Sequence, residues 1–343
     1  MNGKLWFLLV WGMLLTGCRK DLCYIHDQHT LRVEYDISLS YELEWEYNRE
    51  NHVDWEHNWD NEVMGTSYEA LRPTFPEGVR MHIYNENDQT EDMLNLPPKG
   101  ANVYFKDEGQ YSVLFYNNDT EYIVYQEMNS FATAYATTRG VSRSSYLGNS
   151  LIDSKQGKEV TVNPPDMLFG AYMDSVYVEK STQKGTMQAT LHPLVFTYVV
   201  RYEVEEGLEY VALARGALAG MARGVNLGNG RTSKEAATVL YDAKLTDFGA
   251  QALVKTFGVP DYPNPDYSRH PRSYGLNLEV MVSDGSTQQF EFDITDQVEN
   301  QPHGGVIVVK GIKIEPPKQS EGGGGFDVGV NGWGDAIDIP LLM

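Results

Sequence analysis

Residues 276–298 read LNLEVMVSDGSTQQFEFDITDQV, and this stretch sets the fold class. Leu276, Leu278, Val280 and Val282 stand at every second position, and Phe290, Phe292 and Ile294 repeat that spacing after Asp284-Gly285. Successive side chains of a strand point to opposite faces, so period-2 apolar residues mark a strand with one buried face. Two such runs around Asp-Gly predict a hairpin closed by a type I′ turn.

The same rhythm recurs outward from that hairpin. Leu31, Val33, Tyr35 and Ile37 alternate with Arg32, Glu34 and Asp36; Val79, Met81 and Ile83 follow a Pro/Gly-punctuated loop. Val103 and Phe105, then Tyr111, Val113 and Phe115, flank Asp107-Glu108-Gly109 and read as a second hairpin. Further strands are expected around Tyr122–Tyr125, in DSVYVEK (174–180), in TMQATLHPLVFTYVVRYEV (186–204) with a bend at Pro193, and in GVIVVKGIKIEPP (305–317). GALAGMARGVNLGNGRTS (216–233) breaks the rhythm: Gly216, Gly220 and Gly224 at four-residue spacing suggest close packing at a helical turn, followed by a glycine loop. In the acidic stretch after Tyr41 the alternation continues through Leu43, Trp45 and Tyr47, the rest suggests a polar excursion with helical turns, and no run supports a helix longer than three turns. The stretch from Ala132 to Gly157 is rich in Ser, Thr, Arg and Gly, which places an interdomain connection near residues 140–165. The expectation is mainly β: one sandwich over 30–150 and a second over 160–343.

Composition narrows function by exclusion. The 343 residues carry 27 Lys+Arg against 48 Asp+Glu, a formal net charge of −21, which repels phosphate backbones and argues against nucleic-acid binding. With 41% hydrophobic residues the chain can build packed cores, and with 2 cysteines it has no disulfide framework.

The amino terminus carries the most specific signal. Lys4 precedes an apolar run from Leu5 to Leu15, and Leu15-Thr16-Gly17-Cys18 closes it. The run is of signal-peptide length and shorter than the ~20 apolar residues a spanning helix needs. Small residues before a cysteine resemble the lipobox of bacterial lipoproteins, in which the cysteine thiol takes a diacylglycerol and becomes the first mature residue. Residues 1–17 are thus read as a signal peptide, Cys18 as the lipid attachment site and 18–29 as a tether, with outer-membrane delivery as the default. Cys18, Cys23, His26 and His29 also have the residue types of a zinc knot. Acylation consumes the first thiol, however, and the run contains no glycine knuckle, so no metal and no cofactor are expected.

RPTFPEGVRMHIYNEND (72–88), GQYSVLFYNNDTEYIVY (109–125), LARGALAGMARGVNL (213–227), FEFDITDQVENQP (290–302) and GWGDAIDI (332–339), taken with the lipobox, resemble a family of Bacteroidales lipoproteins related to the fimbrillin superfamily of pilus subunits and their anchors. That resemblance implies two tandem transthyretin-like β-sandwich domains. It also implies a cell-surface protein, lipid-anchored in the outer membrane, that acts in adhesion or as a pilus anchor or accessory subunit. Its partners would be the membrane, other fimbrial subunits and surface ligands. Polymerising members are cut after an arginine near the start so that a strand can be exchanged; neither Arg19 nor Arg32 is placed convincingly for this, which favours an anchor.

No catalytic motif stands out, and the protein is read as not an enzyme. Glu44, Glu46, Asp54, Glu56 and Asp60 lie among Trp45, Trp55 and Trp59. Paired carboxylates with aromatic platforms are the equipment of glycosidases, but adjacency in sequence does not set the carboxylate separation that the chemistry needs. The alternative function is therefore a glycan-binding lipoprotein that stacks sugars on Trp45, Trp55 and Trp59.

Overall fold

The computed structural model describes residues 31, 33–43, 45, 55–142, 159–263 and 273–317. The expected lipid site Cys18, the signal peptide, the tether, Arg32, Glu44, Glu46, Asp54 and the carboxyl-terminal stretch all lie outside the described residues.

Eighteen strands are described: β1 Glu34–Tyr41, β2 Val79–Asn85, β3 Thr90–Leu96, β4 Asn102–Tyr104, β5 Gly109–Asn117, β6 Ile123–Gln126, β7 Tyr135–Thr138, β8 Val160–Val162, β9 Phe169–Val178, β10 Gly185–Pro193, β11 Phe196–Glu206, β12 Val211–Ala222, β13 Gly224–Asn226, β14 Ala236–Thr246, β15 Gly249–Thr256, β16 Gly275–Val282, β17 Thr287–Asp293 and β18 Gly305–Lys313. Among the described residues helix is confined to short turns: α1 Trp55–Asn58, α2 Asn61–Met64, α3 Thr295–Glu299 and two 3-10 turns. The mainly-β expectation holds.

One sheet path runs β3-β2-β5-β9-β10-β1-β4. It folds over at β10, which pairs β1 from Gly185 to Leu191 but touches β9 only at His192↔Gly170 and Pro193↔Phe169. Ile37, Val103, Met187 and Leu191 from one leaf share a core with Val79, Met81, Ile83, Val113 and Phe169 from the other, so the path closes into a sandwich. A second path, β17-β16-β12-β14-β15-β11-β18, turns its corner in β14. Ala236–Ala243 of β14 pair β12, whereas Lys244–Thr246 pair β15. Tyr198, Val200 and Tyr202 of β11 meet Leu218, Leu276, Leu278 and Val280 across that second core.

The chain does not divide between these bodies where composition suggests. β8 pairs β14 in the second sandwich, yet the later β9 and β10, which follow residues 140–165, belong to the first. A third sheet, β13-β7-β6, joins strands from both halves of the chain. Its Ile123 and Ala136 bury against Tyr84, Leu114 and Tyr116, on the outward face of β2 and β5, and against Ala222 and Phe257. Apolar area removed from water on both faces of the first sheet welds the two sandwiches together.

Three local expectations change. The run 102–115 is not a hairpin: β4 pairs β1, while β5 pairs β2 and β9, because the chain crosses between leaves at Phe105 and Asp107. Residues 216–226 are strand, not helix; Gly216 lets the Tyr241 ring lie against the backbone, where a Cβ would come within 2.3 Å of it, and Gly220 takes φ +90 at a bulge. The 276–294 hairpin forms as β16–β17, but with a different turn: Gly285 alone has positive φ, and its N–H donates to the Val282 carbonyl. That is a three-residue loop with Gly in the left-handed position, since type I′ would need positive φ at Asp284 as well.

His82 of β2 is buried, stacked on Tyr84 at 4.4 Å, with Nε2 against Thr90 Oγ1 at 3.0 Å. Burial, and then the Arg80 guanidinium, hold its imidazole below the usual 6.5. The unfolded chain therefore takes the proton first on acidification, so this contribution to stability is present above about pH 6.5 and is lost below it as the pH falls toward the folded value. Urea titrations from pH 7.5 to 5.5 (chosen to span that value) should show a smaller loss of stability for His82→Leu than for the wild type.

Candidate functional site

The described chain begins beside the expected tether, so the way β1 is held decides how any pull from the amino terminus enters the fold. β1 is an interior strand of its leaf, parallel to β10 from Tyr35↔Gly185 to Tyr41↔Leu191 and antiparallel to β4 from Glu34↔Tyr104 to Asp36↔Asn102. Ile37, 1% exposed, anchors its middle in the first core. The loop before β4 prolongs the pairing: Ile37 N–H donates to the Ala101 carbonyl at 3.0 Å and Leu39 N–H to the Lys99 carbonyl at 3.2 Å.

That approach requires Gly100. It sits at φ +94, and a Cβ there would stand 1.9 Å from the Ile37 carbonyl oxygen. The preceding Pro97-Pro98 stiffens the turn that delivers it.

Polar contacts close both ends of β1. The buried Glu34 carboxylate meets Lys184 Nζ at 2.8 Å, and this bond holds the Lys184 pKa above its ordinary value. At the other end the Tyr41 hydroxyl donates to the Pro98 carbonyl at 2.7 Å. Burial first, and Asp119 second, push that phenol up to about 12. His192 Nδ1 lies 2.7 Å from Glu42 Oε2 just beyond it. Charge-assisted contacts at the ends and an apolar residue at the centre resist fraying from either side.

After β1 the chain leaves the first sandwich and straps the outer face of the second. Trp45, 2% exposed, packs with Met64, Tyr68 and Leu71 on Val199 of β11 and Val306 of β18. Trp55 and Trp59 are half-buried at the rim of this cluster; the Trp45–Trp59 and Trp55–Trp59 rings meet edge to face at 5.7 and 6.1 Å. The Trp59 indole N–H donates to the Thr66 carbonyl at 2.8 Å. Arg201, its guanidinium 3.3 Å over the Phe248 ring, donates to the Val63 carbonyl, and Gln251 donates to the Met64 carbonyl at 2.8 Å.

The structure thus brings the three sequence-predicted tryptophans together, as packing. A sugar platform needs an open ring face, and Trp45 offers none. Glu56 and Asp60 serve local structure, Glu56 by pairing with Arg72 at 3.6 Å and Asp60 by capping α2. Among the described residues no group of three or more His, Cys, Asp or Glu could hold a metal ion. Sequence reading missed the Glu34–Lys184 pair and the role of Gly100; only the Pro-Pro-Lys-Gly turn at 97–100 hinted at the latter.

A family model described as a domain of unknown function, DUF5119, matches residues 68–242, just over half of the chain. The chain belongs to this family. The DUF5119 match spans strands of both sandwiches and the sheet between them, which fits bodies that cannot be separated at one point along the chain. A Bacteroides ovatus protein named as a candidate fimbrium anchoring subunit, Fim4B, is 26% identical over 303 residues, covering 80% of this chain and 88% of that protein. A crystal structure of a candidate adhesin from Bacteroides ovatus superimposes with a TM-score of 0.58 at 23% identity, covering 89% of this chain and 99% of that one. The second similarity establishes the shared fold.

Two substitutions test the clamp and the strap. Gly100→Ala should cost about 2–4 kcal/mol in chemical denaturation, because it adds backbone strain and displaces the main chain of β1. Trp45→Ala should cost about 3–5 kcal/mol by emptying a buried aromatic site, with exchange protection lost first across β11 and β18.

Proposed function

We propose that this protein is a lipid-anchored fimbrial subunit of the outer membrane, an anchor or accessory component that keeps its amino terminus rather than a polymerising shaft subunit. The observation that carries the reading is the similarity to the Fim4B candidate anchoring subunit across nearly all of that protein. The geometry of β1 supports it. An anchor must pass load from its lipid into the fold, and here the chain after the expected tether is an interior strand tied along both edges.

Parallel pairing over the length of β1 has to be sheared, many main-chain bonds at once, before the strand leaves. A subunit that gave up its first strand would instead open the first core at Ile37. Cys18 supplies the membrane attachment through a thioether to diacylglycerol, and residues 18–29 supply reach. On β18 the outward main-chain groups of Val306 and Val308 already bond the Gln301 and Gln297 side chains, whereas the outer strands β3, β4 and β17 each pair on one side only among the described residues. Their free main-chain groups suit strand addition by a neighbouring subunit. The role is structural, in adhesion or pilus assembly at the cell surface, and no step in it requires catalysis.

Cys18→Ala, expressed in the native bacterium, should move the protein from the detergent phase to the aqueous phase and release fimbriae into the medium. Mass spectrometry of the cell-associated protein should find acylated Cys18 as the first residue. A mature chain that begins after Arg32, or fimbriae held as firmly by the Cys18→Ala protein, would sink the anchor reading.

A further inference from the structure

A cavity of about 630 Å³ lies where the two sandwiches meet. β9 and β10 of the first sandwich form one wall; the segment after β13, the turn after β15 and His303 of the second form the other. Its volume is in the range of small-molecule sites, and clefts between domains are a usual place for them.

The chemistry of the lining is unusual for this chain. With 48 acidic and 27 basic residues in 343, a surface of this size would ordinarily carry several charges, yet none of the described lining residues is Asp, Glu, Lys or Arg. Charged groups that adjoin it are paired: Asp261 with Arg231 at 3.3 Å, and Glu42 with His192 at 2.7 Å. The lining offers an exposed ring from Tyr172, a half-buried one from Tyr262, and neutral hydrogen-bonding side chains from Gln188, Thr190 and Asn229; His303, 8% exposed, packs against Tyr262.

The rings are placed in advance. Tyr262 follows Asp261, a non-glycine residue at φ +62, a backbone conformation that costs energy and is kept only where surrounding bonds enforce it. Those bonds are present: Asp261 N–H donates to the Ser233 carbonyl at 2.8 Å, Tyr262 N–H to Thr232 Oγ1 at 2.7 Å, and Thr232 N–H to the Tyr262 carbonyl at 2.7 Å. Tyr262 then meets His303 edge to face at 4.2 Å, and His303 lies 4.4 Å from Phe196. Across the cleft Tyr172 stands 48% exposed on β9, although its neighbour in register, Leu114, is buried. Gln188 and Thr190 occupy exposed positions of β10.

We propose that this interdomain cleft binds an uncharged oligosaccharide. Sugar rings present an apolar C–H face and a rim of hydroxyls, so they need aromatic faces and neutral donors and acceptors in the same pocket. An ionic ligand would be stripped of water here with no Asp, Glu, Lys or Arg among the described lining residues to meet it. The site involves none of the three tryptophans. It goes beyond the anchor reading and is independent of it: a fimbrial subunit with this cleft also grips neutral glycan.

Isothermal titration of the mature chain with maltohexaose, cellohexaose, xylohexaose and mannohexaose, and with a polygalacturonate oligomer as the charged control, tests the assignment. At least one neutral probe should bind with a dissociation constant below about 1 mM, and the charged one should not. Tyr172→Ala, at an exposed position, should weaken that binding about tenfold with an unchanged thermal melt; Gln188→Ala, also exposed, should weaken it by a smaller factor. Silence with every neutral probe, binding that survives the Tyr172→Ala and Gln188→Ala double change, or tighter binding of polygalacturonate overturns the proposal. So does a silent titration together with loss of fimbrial-subunit binding by Tyr172→Ala, which makes the cleft a protein-docking surface. Fimbriae shed by Cys18→Ala bear on anchoring alone, so the two readings fail separately.

Discussion

The parallel pairing of β1 with β10 holds this molecule together. The residues it joins are about 150 positions apart in the chain, so closing it carries a loop entropy that only burial on both faces can offset. Ile37, Met187 and Leu191 provide that burial, and Gly100 admits the second line of hydrogen bonds beside β1. Without this pairing the first sandwich would lack an interior strand, and the corner where β10 meets β9 would have no leaf to turn.

β10 continues the argument into the second body. Only Leu194 and Val195 separate it from β11, the strand that pairs β15 on one side and β18 on the other. Val195 is buried in the cluster between the sandwiches, and Leu194 N–H donates to the Leu168 carbonyl at 2.8 Å. One nearly continuous stretch of strand therefore forms part of both cores. The tryptophan strap and the β13-β7-β6 sheet add two further crossings, which ties the stability of each sandwich to the other. On the proposed anchor role, such a joint would pass load without a flexible hinge. The interdomain cleft is a product of the same joint, since its walls come from strands on opposite sides of it.

Much of the fold was legible in the residues. Alternation found β2, β16, β17 and the cores of β10, β11 and β18, because a half-buried strand must put an apolar side chain on the same face at every second position. Pro193 marked the β10–β11 bend. Where the reading failed, the cause was tertiary. Val103 and Phe105 look like one arm of a hairpin, yet their strand pairs β1 in the other leaf, and a short turn such as Asp107-Glu108-Gly109 serves a crossing as readily as a hairpin. Gly216 and Gly220 looked helical because i,i+4 small residues suit helix packing; on a strand the same glycines let Tyr241 and Tyr274 approach. The candidate site was less legible, since Glu34, Lys184 and Gly100 acquire meaning only when β10 and the 97–101 loop arrive beside β1.

The sequence by itself determined many of the strand segments and the resemblance to fimbrial proteins, because period and turn residues are local properties, and it raised the expectation of lipid attachment at Cys18 from a short linear motif. The tertiary structure alone decided which strands pair, that strands of the two sandwiches interleave along the chain, that the tryptophans pack together, and that a cleft with no Asp, Glu, Lys or Arg in its described lining opens at the joint. Those outcomes depend on contacts between residues far apart in the chain, and no local pattern records which apolar face will find which partner.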